Sequence, residues 1–157
     1  MPKGYIPLAD ARHTQADALA HAISALAQDV RSLQGSNLLQ GPGPIFLGIG
    51  ASFAASAAAV WALRSRGIHS WRLNAGEHPL PFPATPHPLV GVSQSGKSSE
   101  TLAALQSVDQ RLRFSVVNAQ NSPIEAISAA HLSLGNIADS YASTIGYTAT
   151  SAALVAV

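Results

Sequence analysis

The stretch from Leu89 to Ser98 reads Leu-Val-Gly-Val-Ser-Gln-Ser-Gly-Lys-Ser and is the most informative part of the chain. Its first four residues are apolar, which is typical of a strand buried on both faces of a sheet. Its last six are small or polar, and Leu102, Leu105 and Val108 then follow at helical spacing. A buried strand that turns directly into a helix predicts one unit of a parallel α/β sheet.

The same alternation of apolar strand and helix is found on both sides of this stretch. Strands are predicted at Ile45–Ile49, Ser70–Asn74, Leu89–Val92, Arg113–Val117 and His131–Leu134. The first predicted helix runs from Gln15 to before Gly35, and its apolar face consists of Leu19, Ala22, Ile23, Leu26, Val30 and Leu33. Further helices are predicted from a Ser52 N-cap to about Arg66, from Ser98 to about Gln110, from Ser122 to Ala129, and from Thr144 onward. The chain is therefore predicted to be α/β, a doubly wound parallel five-stranded sheet with helices on both faces.

Ligands bind such sheets at the carboxyl ends of the strands, in the turns that lead into helices. The turn at residues 93–98 offers three hydroxyls, on Ser93, Ser95 and Ser98, that can donate hydrogen bonds to phosphate oxygens. Backbone N–H groups at the start of the next helix favour an anion as well. Gly96 is expected to let the backbone approach that anion closely. The sequence therefore predicts a phosphate-binding turn here.

Two nucleotide motifs overlap these segments and are weaker interpretations. Gly91 and residues 96–98 match the spacing of a P-loop, but Gly91 lies inside the predicted strand, and no later apolar strand ends in Asp. Gly48 and Gly50 match the start of a dinucleotide fingerprint, but Phe53 stands in place of its third Gly. Neither nucleotide hydrolysis nor NADP binding is favoured.

Four segments resemble, in the same order, motifs of the sugar isomerase (SIS) domain family. They are Gly50-Ala51-Ser52, Ala75-Gly76-Glu77-His78, Ser93-Gln94-Ser95-Gly96 with Ser98 and Thr101-Leu102, and Ala142-Ser143-Thr144. The likeness is greatest to the first SIS domain of the isomerase half of glucosamine-6-phosphate synthase and related amino-sugar phosphate isomerases and deaminases. It implies a flavodoxin-like SIS domain over residues 41–157, preceded by a helical segment over residues 1–40.

The resemblance also implies a function and a set of site residues. Substrate binding would fall to Gly50, Ala51, Ser52, Ser93, Gln94, Ser95, Gly96, Ser98 and Ser143, with Glu77 and His78 as candidate catalytic residues and no cofactor. The implied role is phosphosugar binding within an aldose–ketose isomerase or deaminase that acts on an amino-sugar phosphate. The alternative is a non-catalytic phosphosugar sensor. Because the base and the ring-opening His of the tandem enzymes lie beyond the first SIS domain, activity would require a second domain or subunit.

Two positions depart from the family pattern. Lys97 stands where the family usually has Glu, and that cation is compatible with an anionic ligand. Ile145 stands where the family often has Lys, which argues against catalysis in the usual form. Glu100 is expected in the first turn of a helix, where the helix dipole favours a carboxylate.

Composition restricts the partners of this chain. Only 11% of its residues are charged against 47% hydrophobic, so part of the surface is expected to pack against a second copy or a second SIS domain. The net charge is +1 and the nine basic residues are scattered, which excludes a nucleic-acid face. The absence of cysteine fits a cytoplasmic protein, and the six dispersed histidines indicate no metal site.

Two uncharged segments, residues 41–63 and 140–157, are candidates for membrane spans. The first is broken by Pro and Gly, and the second is rich in Ser and Thr and too short for a full span. Both are predicted to be buried instead, so no membrane partner is expected. Residues 154–157 form an apolar end, which leads us to expect that the sequence is a piece of a longer protein.

Overall fold

The computed structural model describes residues 5–34 and 41–156 of the chain. Within them the elements are α1 (Leu8–Gln34), β1 (Ile45–Gly48), α2 (Ala51–Arg64), β2 (Trp71–Asn74), β3 (Leu89–Ser93), α3 (Ser99–Gln106), β4 (Arg113–Val117), α4 (Pro123–Ile127), β5 (Ala130–Ser133) and α5 (Ile145–Ala156), with short 3-10 turns at Ala75–Glu77 and Gln110–Leu112. In these ranges no helix is both long enough and apolar enough to cross a bilayer.

The five strands form one parallel sheet in the order β2-β1-β3-β4-β5. Ile45 of β1 pairs with Leu89 of β3, and Leu89 pairs in turn with Arg113 of β4. The chain therefore winds outward in both directions from the central pair β1 and β3. This confirms the predicted α/β fold with a doubly wound five-stranded sheet.

Neighbouring residues along each strand point to opposite faces of the sheet, and each face has its own apolar core. On one face Phe46, Val90 and Phe114 pack with residues of α1, α2 and α5. On the other face Leu47 and Leu89 pack with residues of α3 and α4. Because both faces are covered, every residue of β1 and β3 is buried, which explains their continuous apolar sequences.

Gly91 lies in the middle of β3 because α3 packs closely over it. A Cβ atom placed on Gly91 would lie 2.6 Å from Cδ1 of Leu105 and 3.1 Å from Cγ2 of Thr101. The glycine is thus required by helix–sheet packing rather than by a loop around a nucleotide. This geometry agrees with the interpretation that the P-loop spacing is coincidental.

Several predicted boundaries were wrong. Helix α1 begins at Leu8 rather than Gln15. The sequence did not indicate its first turns because they are largely exposed and carry no apolar periodicity. Ile23, which was predicted on the apolar face of this helix, is 51% exposed. Helix α3 ends at Gln106 rather than near Gln110, because the Ser107 hydroxyl donates to the Ala104 carbonyl and accepts from the Phe82 N–H. These local side-chain bonds end the helix without a glycine or proline signal.

Candidate functional site

A cavity of about 350 Å³ opens at the carboxyl ends of β1 and β3, where the chain winding changes direction. Crossovers leave these two strands toward opposite edges of the sheet, which leaves a crevice between the turns that follow them. Most of its lining residues have polar side chains, and the lining consists of Tyr5, Ile49, Ser52, Val92, Ser93, Gln94, Ser95, Ser98, Asn118, Asp139, Ser140, Tyr141 and Ser143. Five parts of the chain that are distant in the sequence therefore meet around one space, among them the turns that follow β1 and β3, where ligands bind parallel sheets.

The turn between β3 and α3 forms one side of this cavity. The buried Ser93 hydroxyl accepts a hydrogen bond from the Gly96 N–H at 3.1 Å, and the exposed Ser95 hydroxyl accepts from the Lys97 N–H at 3.2 Å. Each oxygen is fixed in place by the main chain, yet each hydroxyl keeps its own hydrogen to donate. Two oriented donors therefore face a prospective anion.

The start of α3 already attracts a negative group. The Ser99 hydroxyl donates to Oε2 of Glu100 at 3.0 Å, and the Ser98 hydroxyl lies 3.5 Å from the same oxygen. A hydrogen bond from its own backbone N–H, followed by the Ser99 hydroxyl, lowers the pKa of Glu100. Glu100 thus occupies the first turn of the helix as predicted, and the dipole there favours negative charge.

Ser52 and Gln94 contribute groups from the neighbouring elements. Ser52 does not cap α2, contrary to the prediction: the N-cap is Gly50, with a φ of 56°, and Ser52 is the second residue of the helix. Its hydroxyl is consequently not used for capping and lines the cavity. Nε2 of Gln94 donates to the Thr150 hydroxyl at 2.9 Å, which fixes the side chain and leaves its carbonyl oxygen as an acceptor.

Asp139 organises the opposite side of the cavity. Its Oδ1 accepts from the N–H groups of Ser140, Thr144 and Ile145 and from the Thr144 hydroxyl, at 2.8 to 3.2 Å, and its Oδ2 accepts from the Gly146 N–H at 2.8 Å. The carboxylate therefore fills the anion position at the start of α5.

Two buried hydroxyls beside Asp139 have no hydrogen-bond partner. Among the residues that the structure describes, these are Ser140, which is 4% exposed, and Ser143, whose φ is 50°. A buried polar group without a partner costs about 1–3 kcal/mol, and a left-handed φ in a residue other than glycine adds strain. Both costs fall on residues that line the cavity.

Six of the nine predicted binding residues line the cavity, and three do not. The six are Ser52, Ser93, Gln94, Ser95, Ser98 and Ser143. Gly50, Ala51 and Gly96 are absent from the lining. Gly96 has a φ of 61°, and a Cβ there would clash with Cβ and Oγ of Ser122. Its expected role was close approach to the ligand, but the structure shows it to be needed for the turn and for packing against Ser122.

The two candidate catalytic residues lie apart from this cavity. Glu77 is exposed in the 3-10 turn after the edge strand β2, where its Oε1 accepts a hydrogen bond from Asn74 at 2.9 Å. The His78 ring packs against Phe82, with 5.3 Å between ring centroids. Lys97 is exposed and is not part of the lining either. In the described chain none of the three contributes to the cavity wall.

Tyr5, Asn118, Ser140 and Tyr141 also line the cavity but were not predicted as site residues. Asn118 directly follows β4, so the rule that ligands bind beyond strand ends could have found it. Its Nδ2 donates to the Ile137 carbonyl and its Oδ1 accepts from the Ile137 N–H, both at 2.8 Å, which fixes the segment before Asp139. Nothing in the local sequence indicates Tyr5.

A larger cavity of about 450 Å³ lies at the amino ends of the strands. Its wall is mainly aliphatic and aromatic, with residues such as Phe46, Leu63, Val90 and Phe114. It is bordered by Gly41, next to residues outside the described part of the chain. Because it lacks converging hydroxyl groups and lies opposite the strand ends that bind ligands, it is not the candidate site.

No family model and no curated protein matches the chain in sequence. Solved structures do match. The C-terminal domain of glucosamine-fructose-6-phosphate aminotransferase from Francisella tularensis is 19% identical, with a TM-score of 0.75 over 92% of this chain and 44% of that one. A protein of Methanococcus jannaschii whose structure infers a function as 3-hexulose-6-phosphate isomerase is 15% identical, with a TM-score of 0.69 over 94% of this chain and 84% of that one.

A third similar structure is the sugar isomerase domain of the RpiR transcription factor from Sphaerobacter thermophilus. It is 16% identical, with a TM-score of 0.63 over 94% of this chain and 87% of that one. The chain therefore spans less than half of the Francisella C-terminal domain and most of the other two solved chains. All three share its fold.

Proposed function

Because this chain has the fold of the SIS, or sugar isomerase, domain, we propose that it binds a sugar phosphate in the cavity beyond β1 and β3. The observation that carries the proposal is that the serine turn meets Ser140 and Ser143 around one cavity, where the buried hydroxyls of Ser140 and Ser143 have no partner among the described residues. The side formed by the serine turn suits the phosphate of such a ligand, and the side formed by Ser140 and Ser143 suits its sugar.

The phosphate is assigned to the β3–α3 turn. The hydroxyls of Ser93 and Ser95 can each donate to a phosphate oxygen, and the Ser98 hydroxyl can do so by turning away from Glu100. The N–H groups in the first turn of α3 favour the phosphate, and the Glu100 carboxylate in that turn opposes it. Such charge-assisted hydrogen bonds contribute roughly 1.5–3 kcal/mol each. No Lys or Arg belongs to the described lining, so neutral donors and the helix dipole would supply the attraction.

The sugar is assigned to the other side of the cavity. Ser140, Ser143 and Ser52 present hydroxyls that can donate to or accept from sugar hydroxyls, and the Gln94 carbonyl oxygen can accept from one. Ligand sites generally combine a few such placed polar groups with apolar walls. The family resemblance favours an amino-sugar phosphate such as glucosamine 6-phosphate, and that preference is part of the proposal.

Catalysis is proposed only in combination with a second SIS domain or a second copy of the chain, in a cytoplasmic protein. Aldose–ketose isomerisation needs a base that moves a proton between adjacent carbons. Asp139 is the only carboxylate in the described lining, and both its oxygens are engaged by the start of α5. Glu77 and His78 stay candidates only for an assembly that brings a neighbouring site to them.

The alternative is a non-catalytic sugar-phosphate sensor, and the same lack of a free base in the described lining favours it. A cavity that binds its ligand without transforming it needs no proton-transfer group. Incubation of the purified chain with glucosamine 6-phosphate or fructose 6-phosphate tests an enzyme built from copies of this chain. Conversion of either sugar supports that enzyme, and binding without conversion excludes it and leaves the sensor or an enzyme that requires a second SIS domain.

Isothermal titration with fructose 6-phosphate, glucosamine 6-phosphate and Mg-ATP tests the proposal. We expect both sugar phosphates to bind, and Ser95→Ala to weaken them about tenfold or more through loss of one charge-assisted hydrogen bond of roughly 1.5–3 kcal/mol. Ser99→Ala is the matched control, because Ser99 lies in the same turn outside the lining and bonds Glu100. Tight Mg-ATP binding that Lys97→Ala abolishes would contradict the proposal and support a P-loop.

A further inference from the structure

Two tyrosines form an aromatic wall on the cavity. The rings of Tyr5 and Tyr141 are stacked face to face, with 4.1 Å between centroids and 5° between planes. Both residues line the cavity, yet Tyr141 is 72% exposed and Tyr5 is 42% exposed. Since Tyr5 covers one face of the Tyr141 ring, this high exposure means that much of the rest of the Tyr141 residue is in contact with solvent beside the cavity.

The tyrosine pair is held in place by the main chain. Tyr5 forms a parallel bridge with Asp139, and the Ile6 N–H donates to the Asp139 carbonyl at 3.0 Å. The Asp139 side chain is fixed in turn by the start of α5, and Tyr141 is two residues further along. The open ring is therefore preorganised, and a ligand that packs on it needs to order little of the protein.

We propose that Tyr141, supported by Tyr5, stacks on the ring of a cyclic sugar phosphate, so that the site selects closed-ring over open-chain sugars. The inference rests on the proposed function, because the phosphate anchor in the serine turn brings the sugar beside the aromatic wall. A pyranose or furanose ring has a C–H-rich face that suits a flat aromatic surface, while its hydroxyls point outward in the ring plane. An open-chain polyol has no such face.

The hydroxyls around the wall fit the same orientation. Ser140 and Ser143 flank Tyr141 in the sequence and have buried, unpartnered oxygens. A ring stacked on Tyr141 would direct its edge hydroxyls toward such neighbours, whereas a flexible chain would have to lose several rotatable bonds to reach them. Aromatic face and edge hydroxyls together are thus the features that distinguish the two forms of sugar.

The test compares 1,5-anhydroglucitol 6-phosphate, which is locked as a ring, with sorbitol 6-phosphate, which is locked open, by isothermal titration. We expect the ring to bind about twofold to tenfold tighter to the unmodified chain, the range for an aromatic stacking contact. Tyr141→Ala should remove most of that difference, and Tyr141→Phe should retain it. Tyr147→Ala, an exposed tyrosine outside the cavity lining, is the control.

The outcomes separate this inference from the proposed function. Equal affinity for both compounds, unchanged by Tyr141→Ala, would overturn the stacking role while leaving phosphosugar binding supported. No binding of either compound would overturn both. Tighter binding of AMP than of the ring compound, lost in Tyr141→Ala, would show that the wall stacks a nucleobase and would also overturn the inference. A thermal melt of each variant verifies that the fold is intact.

Discussion

Asp139→Ala is expected to destabilise the chain by about 2–4 kcal/mol and to abolish sugar-phosphate binding. The carboxylate accepts five hydrogen bonds at the start of α5, four of them from main-chain N–H groups. Alanine would leave these donors without an acceptor in a part-buried environment. The loss would reach the cavity as well, because Ser140, Tyr141 and Ser143 lie in the turn that Asp139 holds.

Urea unfolding of the variant and of the unmodified chain measures the effect. Asp139→Asn is expected to lose less, since an amide oxygen can still accept some of the bonds. Asp17→Ala is the control: Asp17 is exposed on α1, and its replacement should change the unfolding free energy by less than about 0.5 kcal/mol. If Asp139→Ala proved as stable as Asp17→Ala, the carboxylate would not organise this turn.

Gly96→Ala is expected to cost about 2–4 kcal/mol of unfolding free energy. Part of the cost is the positive φ of 61°, which a Cβ atom disfavours. The rest arises because the added Cβ would overlap the Ser122 side chain, which is itself fixed as the N-cap of α4. The turn would shift to relieve this contact, so phosphosugar affinity should fall together with stability.

A double-mutant cycle separates the two contributions. In a Ser122→Gly background the clash is absent and the N-cap loses only a few tenths of a kcal/mol, so Gly96→Ala should cost at least about 1 kcal/mol less there. Gly76→Ala serves as the matched control, because its nearest neighbouring atom would be 3.6 Å from the new Cβ. Strictly additive costs would disprove the proposed contact with Ser122.

The strands were predictable because a sheet buried on both faces requires short, continuous apolar sequences. The strand Arg113–Val117 was predicted with its observed boundaries, since the residues that flank its apolar run are polar. Helix ends were less predictable. Leu8 to Thr14 is helical although mostly exposed, and the end of α3 at Gln106 depends on the Ser107 hydroxyl and on a contact with Phe82.

The candidate site was predictable where it follows from the chain direction of the sheet. Residue type and its position after a strand indicated Ser95, whereas Ser143 was indicated by the family resemblance. Tyr5 and Asp139 act through contacts between the two ends of the chain, which no local pattern encodes. The packing of Gly96 against Ser122 could not be predicted, since its neighbour Ser122 is known only from the fold.

The most direct test of phosphosugar binding is to locate the ligand on the chain. Amide chemical shifts of the ¹⁵N-labelled protein would be followed by NMR during titration with fructose 6-phosphate. We expect the largest changes in residues 93–100 and 139–146, the two sides of the cavity, with little change around the apolar cavity at the amino ends of the strands. Changes confined to that apolar cavity, or none at saturating sugar phosphate, would contradict the account.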